Sequence, residues 1–202
     1  NAVSTLRIGD TSAAILLYKS VVESAVSSYQ EPALLFLARR YYQLEDFELS
    51  NIYYLALEEI ASTNSLKREV IIRLMYGNEN NNNDLAFKYA KGVAGLGKTD
   101  DWLLRKANII IARNEFKNWN YAKSRKTFEK VEQLSKYDEG AEAKYYLAYL
   151  TYLDDSLQLA EQMIFQLSDQ YSSDHFIAKA FLLLADIYRA QDNNFQAKAT
   201  LE

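Results

Sequence analysis

The chain has 202 residues, with one Pro, six Gly, no Cys, 16 Tyr and a formal net charge of −4. So few turn-forming residues do not punctuate a set of tight hairpins, which disfavours an all-β sandwich, and the lack of Cys excludes disulfides, Cys-ligated metals and a Cys nucleophile. The acidic balance argues against a nucleic-acid binder held by phosphate contacts, and no apolar run approaches the roughly 18 residues of a membrane span.

Asn1 opens the chain with neither Met nor a leader pattern, and Ala199-Thr200-Leu201-Glu202 closes it inside a helical pattern. The ends read as those of a fragment of a longer protein, and Leu201-Glu202 matches a common cloning scar.

Helical spacing dominates from the start. Ala14, Tyr18 and Val21 lie on one helical face, as do Leu34, Leu37, Ala38 and Tyr41, and later Phe181, Leu184, Ala185 and Tyr188. Val70-Ile71-Ile72 and Ile109-Ile110-Ile111 would suit buried strands in isolation. Each sits in ten or more residues without a turn signal, which favours helix. The stretch Asn78-Glu79-Asn80-Asn81-Asn82-Asn83 predicts a loose, exposed loop, and Gly92, Gly95 and Gly97 predict the end of the helix that follows.

The helices repeat. Ala38, Leu74, Ala112, Ala148 and Ala185 are separated by 36, 38, 36 and 37 residues. Twelve residues after each stand Ser50, Ala86, Ser124, Ala160 and Ala197. Four further on are Tyr54, Ala90, Phe128, Ile164 and Leu201, and three beyond those come Leu57, Val93, Val131 and Leu167. Small residues at helix crossings let backbones approach, and the larger ones fill the grooves beside them. An ordinary bundle would not hold the twelve-residue offset. The pattern predicts a solenoid of antiparallel helix pairs in which each pair needs its neighbours. The expected units are a half repeat over 1–29, then 30–64, 65–98, 99–137, 138–173 and a truncated 174–202.

Leu37-Ala38, Tyr41, Phe47, Ser50, Tyr54 and Leu57 resemble the tetratricopeptide repeat, as do Leu184-Ala185 with Tyr188, and Tyr121-Ala122 with Ser124 and Phe128. The resemblance covers nearly the whole chain as one all-α, right-handed superhelical solenoid of about five repeats. Two features depart from the family. The period exceeds the usual 34 residues, which implies longer helices, and the terminating Pro is absent, so caps such as Asn64-Ser65, Thr99-Asp100 and Ser173-Asp174 must end the helices. Long, proline-poor copies are similar to those of large bacterial multi-repeat proteins. That likeness favours the cell envelope or periplasm over the cytoplasm.

The resemblance implies that first helices line a concave face holding a peptide. The family's groove positions fall on Leu35, Arg39 and Tyr42; on Lys106, Ile109, Arg113 and Phe116; on Tyr145, Tyr149 and Tyr152; and on Leu182, Asp186 and Arg189. Arg and Tyr join apolar area to directed hydrogen bonding, as dominant interface contacts do. Ile109 and Arg113 replace the Lys and Asn of the family's carboxylate clamp, which disfavours a chaperone-tail ligand. From Lys98 to Lys136 ten Lys/Arg face five Asp/Glu, a basic stretch suited to an acidic segment or to a solvated helix face.

No catalytic motif appears. His175, the single His, lies at an expected helix start, and no nucleophile motif accompanies it. The expectation is a non-catalytic scaffold with no metal and no cofactor. Its partner is a protein or peptide, with no nucleic acid and no membrane span. The alternatives are a structural or self-assembling segment of an envelope protein, and a peptide-sensing regulatory domain.

Overall fold

The structure is a computed structural model that describes residues 11–24 and 27–202. Residues 1–10, 25 and 26, part of the half repeat expected over 1–29, lie outside that description. The described residues hold eleven α-helices and no strand, so both β-branched runs are helical.

The chain divides into two compact units, Asn1–Val93 and Ala94–Glu202. The first contains α1 (Thr11–Glu23), α2 (Ser27–Gln43), α3 (Phe47–Ile60), α4 (Asn64–Asn78) and α5 (Asn83–Ala94). In it α1 packs on α2, α2 on α3 and α3 on α4. The Tyr89 hydroxyl of α5 donates to Glu58 of α3 at 2.6 Å.

The second contains α6 (Asp101–Lys117), α7 (Tyr121–Leu134), α8 (Asp138–Leu153), α9 (Leu157–Gln170), α10 (Asp174–Ala190) and α11 (Asn194–Leu201). Each helix packs on the next, and the first helices of successive pairs also touch, α6 with α8 and α8 with α10. Consecutive packing of this kind is that of a helical repeat.

The register explains the packing. Ala38, Leu74, Ala112, Ala148 and Ala185 are fully buried, as are Tyr54, Ala90, Phe128, Ile164, Leu57, Val93, Val131 and Leu167. Only Leu201, in the last helix, stands exposed among these positions. The twelve-residue offset has a direct cause in two pairs. Ser50 Oγ donates to the Ala38 carbonyl, and Ser124 Oγ to the Ala112 carbonyl, each at 3.0 Å. A buried hydroxyl is thereby satisfied where the two backbones cross most closely.

Four helices, α2, α6, α8 and α10, stop by a device that the sequence hides. Glu45, Trp119, Asp155 and Asp192 each lie seven residues beyond a register residue, with φ of 58°, 62°, 59° and 57°. The amide that follows each donates back five residues: Asp46 to Tyr41, Asn120 to Glu115, Ser156 to Thr151 and Asn193 to Tyr188, at 2.8 to 3.2 Å. This is the Schellman stop, normally built on Gly. An L-residue in the left-handed region costs about 1–2 kcal/mol. Replacing the exposed Asp155 by Gly is therefore expected to stabilise the second unit by about 1 kcal/mol after the entropy of the added Gly is subtracted. The check is a urea denaturation curve; an unchanged or lower midpoint would count against the strain.

Two expectations need correction. Gly92 does not end a helix: it lies inside α5, where a Cβ would sit 3.8 Å from Ile71 Cδ1, and only Gly95 and Gly97 follow the helix end. The Asn run is also divided in its roles. Residues 80–83 are exposed, but Asn82 accepts from the Leu85 amide at 3.1 Å and caps α5, and Asn83 begins that helix. Asn78, expected in the exposed loop, instead ends α4 with its side chain buried and donating to the Leu74 carbonyl at 2.7 Å. Of the expected caps, Asp100 and Ser173 stand at the N-cap without a side-chain bond, and Thr63, one residue before Asn64, caps α4.

Candidate functional site

In the second unit the first helices repeat one spacing. Lys106, Ile109, Arg113 and Phe116 on α6 match Glu142, Tyr145, Tyr149 and Tyr152 on α8, and Lys179, Leu182, Asp186 and Arg189 on α10. Offsets of three, seven and ten residues place each set on one helical face.

The structure brings many of these groups together. Phe116 packs edge-on against Tyr149 with centroids 5.8 Å apart, and lies 4.8 Å from Tyr146. Tyr145 is 6.4 Å from Tyr149, Tyr149 is 6.3 Å from Tyr152, and Tyr145 is 6.2 Å from Phe176 of α10. Lys179 reaches over the Tyr145 and Phe176 rings at 5.9 and 5.5 Å, a cation–π arrangement. Tyr145, Tyr149 and Tyr152 pack one edge against the α8–α11 core and leave the other half-exposed. Their hydroxyls hydrogen-bond to nothing among the described residues. Burial, then the neighbouring Tyr146, Tyr149 and Asp186, pushes the Tyr145 hydroxyl above its ordinary pKa, so it stays a donor.

The arginines are already engaged. Arg113 donates to Glu142 through Nε at 2.5 Å and Nη2 at 2.6 Å, and that carboxylate is 6% exposed against 43% for the arginine. In the first unit Arg39 makes the same two-armed contact with Glu69 of α4, its Nε at 2.7 Å from Oε1. Tyr42, half-buried, packs against Phe47 and lies under Arg73, whose guanidinium carbon is 4.4 Å from the ring centroid. Leu182, Asp186 and Arg189 are exposed, the last two ion-paired at 2.7 Å. Ile109 is fully buried, and Lys106 is half-buried on α6.

No local pattern marks the carboxylate partners Glu69 and Glu142, because they lie 30 and 29 residues from their arginines on other helices. The spacing from Glu142 to Tyr145, Tyr149 and Tyr152 is the signal that would have found one of them. Of the basic stretch, Lys123, Lys126 and Lys130 form an exposed face of α7, and Arg125 reaches Asp154 at 2.5 Å. His175 is exposed in the first turn of α10, edge-on to Phe176. Among the described residues, no three His, Asp or Glu gather as a metal site would require, and no helix is long and apolar enough to cross a membrane.

The Arg39 pair carries a pH dependence. Hydrogen bonds from Arg39 hold the Glu69 carboxyl below its ordinary value of 4.5, with further help from Tyr54 and Arg73 against the cost of burial. A lowered folded pKa contributes stability that is complete above 4.5 and lost as the pH falls through the lowered value. Arg39 is half-exposed, so solvent limits the effect to about 0.5–1 kcal/mol. Urea denaturation between neutral pH and pH 3 should show this loss in the native chain and its absence in Glu69→Gln.

The described residues thus define an all-α, helical-repeat-like protein whose second unit presents a half-buried aromatic face across three helices. No protein-family model and no curated protein matches the chain.

Proposed function

We propose that the chain is a non-catalytic protein-interaction module, built on a right-handed, tetratricopeptide-like repeat, that takes an extended peptide along the first-helix face of α6, α8 and α10. One observation carries this reading. The hydroxyls of Tyr145, Tyr149 and Tyr152 lie in a half-exposed aromatic band and have no hydrogen-bond partner among the described residues. Rings of this kind supply contact area at small entropic cost, and their hydroxyls suit the carbonyls of an extended backbone.

A second reading, a self-assembling structural segment, is favoured by the ion pairs. Arg39 and Arg113 spend both arms on neighbouring helices rather than facing outward.

Peptides selected from a random library on the intact chain discriminate the two. Replacing all three tyrosines by Phe keeps the packing and removes only the hydroxyls. Three lost bonds at ~0.5–1.5 kcal/mol each predict binding at least about tenfold weaker. Unchanged affinity in a folded triple variant would reject this face. Concentration-dependent association of the chain with no peptide selected would favour the structural reading.

A further inference from the structure

We propose that the corner formed by α2, α3 and α4 is an oxyanion-binding pocket centred on Arg73. A cavity of about 110 Å³ opens there, lined by Arg39, Tyr42, Gln43, Tyr54 and Arg73. Its size suits a group of a few heavy atoms and not a whole peptide residue.

The charge in the corner does not cancel. Arg39 and Arg73 supply two guanidinium groups, and among the described residues Glu69 is the one carboxylate that engages them. Glu69 accepts both arms of Arg39, and its Oε1 also takes the Tyr54 hydroxyl at 3.3 Å. Arg73 is half-buried, and among the described residues it has neither a hydrogen bond nor a carboxylate within ion-pair distance. Tyr42 holds it from one side. A guanidinium held over a ring in this way still has N–H groups to offer, and their fork matches the two oxygens of a carboxylate or phosphate. The Gln43 amide adds a neutral donor at the rim. The pocket thus pairs a net positive charge with unspent, oriented donors and a partial screen from water, where a charge-assisted bond gains most. The pocket stands whether or not the aromatic face of the second unit binds a peptide.

The test follows the arginine Nε–Hε signals of the intact ¹⁵N-labelled chain during titration with sodium phosphate and, separately, sodium acetate, with chloride keeping the ionic strength constant. The expected result is a saturable shift of the Arg73 signal in the millimolar range. Phosphate alone, acetate alone or both support the pocket and tell which oxyanion it prefers. Arg73→Gln should weaken binding at least about tenfold, as loss of a charged hydrogen bond requires. Glu69→Gln frees Arg39 and should tighten binding about threefold or more, opposite in sign to a merely structural defect. Arg105→Gln, on α6 and outside the residues that line the pocket, should bind as the native chain does. Absence of a saturable Arg73 response to either anion, or binding that survives Arg73→Gln, would overturn the pocket. The native-chain titration decides the matter even if a variant fails to fold.

Discussion

Arg113→Met is expected to destabilise the second unit by about 2–3 kcal/mol, whereas Glu142→Met is expected to cost about 1 kcal/mol. The asymmetry follows from burial. The Glu142 carboxylate is almost wholly enclosed, and Arg113 is the group that compensates it with two short bonds. Removing the cation leaves an uncompensated buried charge, which costs about 3–5 kcal/mol in a dry interior and less here because Arg113 is itself partly wet. Removing the carboxylate instead releases Arg113 into solvent. The double variant Arg113→Met/Glu142→Met should therefore be more stable than Arg113→Met alone, a non-additivity of the kind contacting residues show. Urea denaturation of the three variants checks this. A cost below about 0.5 kcal/mol for Arg113→Met would show that water already reaches Glu142.

Gly140→Ala is expected to cost about 2–3 kcal/mol, even though Ala is the better helix former by about 1 kcal/mol. Gly140 lies in the first turn of α8, where a Cβ would sit 2.3 Å from the Ser135 carbonyl oxygen and 2.7 Å from Tyr171 Cε1. The nearer obstacle is backbone and cannot swing aside. Tyr171, 36 residues after Ser135, brings its hydroxyl to the same carbonyl at 3.4 Å. The glycine therefore lets α8 begin against the turn that leads into it while the next turn closes over both. The expected readout is a thermal midpoint lower by about 5–10 °C for a protein of this size. An unchanged midpoint would mean that the Ser135 turn yields freely.

The sequence made the packing legible where a residue's role is set by its own size and spacing. Ala38, Ala112, Ala148 and Ala185 announce close helix crossings because a small residue recurs at four of the five register positions, Leu74 being the fifth, and all are fully buried. Roles set by a distant partner stayed hidden. Glu45 and Trp119 carry no left-handed signature and Asp155 and Asp192 only a weak one, yet the chain places each in that conformation at the same step of the repeat. Gly92 reads as a helix stop because glycine is a poor helix former, yet it stands exposed inside α5, which ends two residues later. The candidate face was legible as a spacing, through Phe116, Tyr145, Tyr149 and Tyr152. The commitment of Arg39 and Arg113 to carboxylates was not, since no local pattern marks a pair made between helices.

The aromatic face is tested most directly by mapping where a selected peptide binds the intact chain, using the ring and hydroxyl signals of specifically labelled tyrosines. The expected result is saturable shifts of Tyr145, Tyr149 and Tyr152 together, with Tyr137 and Tyr171 unmoved. Shifts confined to other residues, such as the exposed lysine face of α7, with those three tyrosines silent, would contradict peptide binding on the first-helix face.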